Sequence, residues 1–220
     1  MIPVLDPRSE RARVLRLVER ITYGADAGTV EIAEQMGYEA FVEWQLAPEA
    51  IDDGPLEDLL RDALPTLSMT PEELARQIFV EQDFGAAQRD LTIATMIRRA
   101  FSPRQLYERM VEFWSDHFNV PASGVVGSYY KFLEDRDMVR PLAMNRFVDL
   151  LRNSAASPAM LDYLDNATNT AEGPNENYAL ELMELHSLGV DGGYTEDDVK
   201  EVARVFTGWT IRPPAYFVFD

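Results

Sequence analysis

Residues 102–118 read SPRQLYERMVEFWSDHF. Ser102 stands before a proline suited to a first helical position, and Gln105 follows at capping-box spacing. At about 100° per residue, Leu106, Met110, Phe113, Trp114 and His117 fall on one face of the helix that follows. Glu108, Glu112, Ser115 and Asp116 fall opposite. The spacing predicts an amphipathic helix over 103–118 whose histidine lies in the apolar stripe, buried or at the floor of a pocket.

The same punctuation recurs along the chain. Asp6-Pro7, Thr70-Pro71 and Ser157-Pro158 repeat the cap-then-proline signal, and Glu73 completes a capping box with Thr70. After Asp6, Val14, Leu17, Val18 and Ile21 recur at helical period and Gly24 is a fitting stop. Further helices are predicted near 28–36, 38–46, 71–83, 86–101, 141–153, 158–164, 176–188 and 196–207. In the last of these, Val199, Val202, Ala203 and Phe206 form a clean stripe. Val120 to Tyr130, rich in Gly, Ser and Val, reads as a loop or short extended piece, and Asp165 to Pro174 as a polar turn. Only Ala215 to Phe219, after Pro213-Pro214, reads as a strand, and one without a partner in this sequence. An unpaired apolar edge is a hazard that complete proteins cover, so the chain is expected to be an incomplete product. The fold expected is all-α: a multi-helix, orthogonal bundle-like single domain over 1–220 with long loops, truncated at an extended C-terminal segment.

Composition narrows the function classes. Lys+Arg number 20 against Asp+Glu 38, a formal net charge of -18. That field opposes nucleic acid and anionic membrane surfaces, and no basic groove or aromatic–basic stripe offsets it. With no cysteine, disulfides, thiolate metal sites and a cysteine nucleophile are excluded. No apolar run approaches a membrane span, and the N-terminus carries no signal peptide, so the default compartment is cytoplasmic.

Chemistry-bearing residues are few. The chain has two histidines, His117 and His186. The second lies in a helix opened by Pro174-Asn175 and closed by Gly189, on the face of Tyr178, Ala179, Leu182 and Met183. Glu176, Asn177, Glu181 and Glu184 take the other side. Each histidine alone reads as a core residue, but as the only two they also read as one shared site, suited to proton transfer or metal binding. The di-metal Glu-x-x-His register fails, because Met183 stands three before His186. Asp191 to Asp198 lacks EF-hand spacing, and its glycines with a Thr195–Asp198 capping box explain it as a turn. Hydrolase-elbow, P-loop and Rossmann patterns are absent. Asn166-Ala167-Thr168 matches a glycosylation triplet.

Taken together, these segments resemble the bacterial family called domain of unknown function 1800. Phe113-Trp114-Ser115-Asp116-His117-Phe118 is similar to its "FW-x-x-HF" signature. Asn175 to Tyr178 and Glu181 to Gly189 are similar to its longest motif, which Gly192 to Thr195 and Ala203 to Trp209 continue. Leu17 to Gly24 is similar to its opening "R-x-T-x-G" helix, and Ser157 to Met160 resembles another of its stretches. The resemblance implies a helical protein, a family often exported, and a sulfatase-like protein as partner. Two residues depart from the pattern: Leu180 where the family has Arg, and Ser115 where many members have a second His. Members also run to twice this length or more, so the chain looks like an N-terminal half.

Two functions follow as expectations. One is an enzyme whose pocket is floored by His117 and His186, with Glu181, Glu176 or Asn177 nearby, doing acid–base or metal-assisted hydrolysis. The other is a non-catalytic accessory protein docking a partner. The sequence names no substrate, cofactor or metal. It does predict that the two rings lie on facing helices, bridged directly or through one water or metal. Placed at helix C-termini, both are expected to favour the protonated form. Their nitrogens are expected to be partnered by each other, by a loop carbonyl, or by Asn119, Asn166 or Asn177.

Overall fold

The structure is a computed structural model that describes Asp6 and residues 8–220. The protein is all-α, with one two-stranded hairpin among the described residues. It divides into two compact units, Met1–Leu64 with Thr92–Glu112, and Pro65–Leu91 with Phe113–Asp220.

The first unit holds α1 (Glu10–Ile21), α2 (Ala27–Met36), α3 (Tyr38–Leu46) and α4 (Gly54–Ala63). It also takes in the later part of α6 (Ala86–Phe101) and most of α7 (Gln105–His117). Ser9 caps α1, its hydroxyl accepting from Ala12 N, so the helix starts later than the expected cap at Asp6; Pro7 lies outside the described residues. Asp26 caps α2 through Gly28 N and Thr29 N. Val14, Leu17, Val18, Ala33 and Phe41 form the apolar core. Helix α4, which the pattern did not predict, is anchored by a bidentate ion pair between buried Arg98 and half-buried Glu57: Arg98 Nε and Nη2 each meet Glu57 at 2.8 Å.

Helix α7 differs from its expected face. It begins at Gln105 rather than Pro103, because the Ser102 hydroxyl accepts from Arg104 N and holds the preceding residues in a turn. The buried positions in its first turns are Gln105, Glu108 and Val111. Burial of the Gln105 amide is stable because its polar atoms are matched. Gln105 accepts from Tyr23 N at 2.9 Å and donates to Arg99 O and Ser102 O, while Glu108 O accepts from the Tyr23 hydroxyl.

The second unit opens with α5 (Pro71–Ala75), capped by the Thr70–Glu73 box. It widens into a π-helical turn over Arg76–Val80, short of the expected end at 83, and Gln82 at φ 65 breaks the helix. Val120 to Tyr130 is not a loop: Gly124–Glu134 is helix α8. Its glycines and valines hide a stripe in which Tyr129 and Phe132 are fully buried against Leu74, Ile78, Ala86 and Ala87. That burial outweighs the weak helix propensity of Gly and Val. A π turn over Asp135–Val139 follows, then α9 (Arg140–Leu142). The widened turn falls just before Pro141, which has no N–H and whose ring clashes with an α-helical carbonyl four residues back. The next helix is α10 (Phe147–Ala155), shifted from the expected 141–153 because Ala143 to Arg146 turns first.

Ser157 caps α11 (Pro158–Tyr163) through Met160 N, as its sequence predicts. Three asparagines then order the polar turn. Asn169 bridges Asn166 and Asn175 N, and Asn175 caps α12 (Glu176–Glu184) by accepting from Tyr178 N. Helix α13 (Glu196–Val205) starts at the Thr195–Asp198 capping box and packs Val199 and Ala203 on Ala179 and Met183. The expected lone strand has a partner. β1 (Trp209–Arg212) pairs antiparallel with β2 (Tyr216–Phe219), in the register Trp209 to Phe219 through Arg212 to Tyr216. Gly208, at φ +80, turns the chain out of α13 and into β1. Among the described residues, no helix is long and apolar enough to cross a membrane.

Candidate functional site

The two histidines meet in the second unit. His117 is the last residue of α7, and His186 lies in the turn after α12, which ends at Glu184 rather than 188. That turn closes as Leu188 N and Gly189 N both return to Met183 O. Gly189 sits at φ +83, and Gly192 packs so closely that a Cβ there would lie 2.6 Å from Leu188 Cβ. The tight turn that follows His186 therefore depends on its glycines.

The ring centres are 6.1 Å apart at an interplanar angle of 70°. Their nitrogens do not bond to each other. His117 Nε2 lies 3.2 Å from His186 O, and His186 Nδ1 lies 3.0 Å from His117 O. A carbonyl oxygen only accepts, so each of these nitrogens carries the proton. The reciprocal clasp fixes opposite tautomers, Nε2–H on His117 and Nδ1–H on His186. Among the described residues, His117 Nδ1 and His186 Nε2 have no hydrogen-bond partner. Neither is sealed off: among the described residues, Asp53 Oδ1 is the one buried side-chain N or O atom without a partner.

Rings surround the clasp. Phe118 stands edge-on to His117 at 4.6 Å, Trp114 at 5.6 Å and Phe147 at 5.9 Å, while Phe113 stacks at 6.3 Å. Trp114 Nε1 donates to Ala143 O, which pins the indole. The environment acts against charge. Burial pushes the His186 imidazole below its ordinary value, outweighing the bond to His117 O that favours the cation. This reverses the expectation from the helix dipole, because His186 sits beyond the helix end and is 7% exposed.

The other proposed members lie elsewhere. Glu176 and Asn177 are exposed and Glu181 is half-buried. Among the described residues, none of their side chains bonds to either imidazole; Glu181 meets His186 only through its carbonyl, which accepts from His186 N at 3.3 Å. Asn166 is spent on Phe206 O and Trp209 O. Among the described residues, no group of three or more His, Cys, Asp or Glu is arranged to hold a metal ion. Sequence reasoning missed Phe147, which joins the ring cluster from α10; its only signal was the apolar residue opening that helix.

Fold and site define an all-α protein organised around a histidine–aromatic knot. The family model described as "Protein of unknown function (DUF1800)" matches residues 16–220, and the chain belongs to that family. No curated protein and no solved structure matches the chain.

Proposed function

We propose that the His117–His186 pair is the working site of an enzyme that performs acid–base or metal-assisted hydrolysis. One observation carries this reading: each imidazole sets one nitrogen against a backbone carbonyl, and among the described residues its other nitrogen has no hydrogen-bond partner. Working histidines are oriented in this way, with the proton-bearing nitrogen held by an acceptor so that the second acts as base or ligand. Burial keeps His186 neutral near pH 7, the form that accepts a proton or binds a metal.

The test uses variants that keep the clasp and delete the lone pair. The amide of His117→Gln mimics Nε2–H, and that of His186→Asn mimics Nδ1–H. Hydrolysis of carboxyl, phosphate and sulfate esters is assayed with and without zinc. The reading expects turnover by the wild-type chain and a loss of about a hundredfold or more in either variant. Wild-type turnover that survives in both variants, or no turnover on any ester, contradicts it.

A second reading rests on the exposed apolar rim, where Phe113 is 54%, Leu185 58% and Leu188 56% exposed. Here the protein is an accessory that docks a partner, and the family resemblance suggests a sulfatase-like protein. Leu185→Asp then breaks the complex while His117→Gln leaves it intact.

A further inference from the structure

A cleft lies wholly in the first unit, lined by residues between Tyr23 and Gln105 and by neither histidine. It encloses about 760 Å³, within the ordinary range for small-molecule sites. Its walls are apolar and partly open to solvent: Ile32 from α2, Trp44 from α3, and Met96 and Phe101 from α6. Such surface, left bare, is what a ligand with an apolar body would cover.

The polar end carries charged groups. Tyr23 and Arg99 line the cleft there. The Tyr23 ring is flanked by two guanidinium groups, Arg99 at 5.3 Å and Arg109 at 5.1 Å from its centroid. Both arginines turn to one carboxylate, Glu112, at 3.1 and 3.2 Å. The Tyr23 hydroxyl also donates to Glu112, at 2.8 Å. Two cations thus share one anion beside the cleft, in a chain whose net charge is -18. The carboxylate on the lining, Asp26, accepts from Gly28 N at 2.9 Å and Thr29 N at 3.0 Å as the cap of α2. The buried amides are matched as well, Gln45 donating to Pro103 O and accepting from Leu106 N. Among the described residues, Arg99, half-exposed, is the cationic side chain on the lining.

We propose that this cleft binds a monocarboxylate with an apolar tail, the acid group on Arg99 and the tail between Ile32, Trp44, Met96 and Phe101. The guanidinium supplies a forked donor that matches a carboxylate, and the walls supply the desolvated surface that holds the tail.

Calorimetric titration of the full chain with octanoate, and with octanol as the neutral analogue, tests this. Octanoate is expected to bind at one site and octanol about tenfold or more weaker, the scale of one charge-assisted contact. Arg99→Gln brings octanoate down to the octanol level. Ile32→Asp, at a 43% exposed wall position where folding tolerates the change, abolishes both. Binding also changes the Trp44 fluorescence, and Trp44→Phe removes that signal. The proposal is overturned if octanoate does not bind, if octanol binds equally well, or if either Arg99→Gln or Ile32→Asp leaves octanoate affinity unchanged.

Discussion

Replacing His186 by Ala removes the donor to His117 O and leaves that carbonyl in a site where the imidazole had been 7% exposed. An orphaned buried acceptor costs about 1–3 kcal/mol. The variant also loses ring contacts with Phe118 at 5.7 Å and His117 at 6.1 Å, of which aromatic pairs contribute about 0.5–1.5 kcal/mol. The expected loss is about 2–4 kcal/mol, among the larger single-residue effects. His186→Asn keeps an N–H at the Nδ1 position and is expected to recover about half of it. Urea unfolding followed by far-UV circular dichroism measures both. Equal destabilisation by Ala and Asn would refute the hydrogen-bond argument, because the donor would then not matter; no destabilisation by Ala would refute the clasp itself.

The folded His186 imidazole titrates below its unfolded value, so the unfolded chain takes up the proton first. Stability is therefore full above about pH 6.5 and falls as pH drops through and below that value; a urea-midpoint series shows this slope in the wild type and not in His186→Asn. Burial raises the Asp53 carboxyl, so its contribution runs the other way. Stability declines as pH rises from the ordinary carboxylate range to the raised value, and Asp53→Asn removes that slope in the same series. Arg98→Ala takes the guanidinium from Glu57 in a pair whose arginine side chain is 7% exposed, and is expected to cost about 3 kcal/mol in urea unfolding. Thr195→Ala deletes a capping box and is expected to cost about 1 kcal/mol by the same measurement.

The local signals were legible because each lies within a few residues of sequence. Thr70 with Glu73, Ser157 before Pro158 and Thr195 with Asp198 all cap the helices they announce. The stripe of Tyr178, Ala179 and Met183 likewise faces inward. What stayed hidden depends on contacts distant in sequence. Helix α8 exists because Tyr129 and Phe132 fill a core made by α5 and the start of α6, which no window of eleven residues reveals. Gln105 turns inward because the loop at Tyr23 meets its amide, so a rule that places polar residues outside misjudges that face. The histidine pairing was anticipated from the apolar faces. Its partners were harder to anticipate, because a backbone carbonyl has no residue identity for a sequence to display.

The reciprocal clasp makes one statement that can be read atom by atom. Long-range nitrogen–proton NMR correlations of the imidazole rings, recorded near neutral pH, assign the protonated nitrogen of each histidine. The structure predicts opposite tautomers, Nε2–H for His117 and Nδ1–H for His186, each proton protected from exchange by its carbonyl. A His186 ring protonated at Nε2 alone, or a His117 ring protonated at Nδ1 alone, would contradict it.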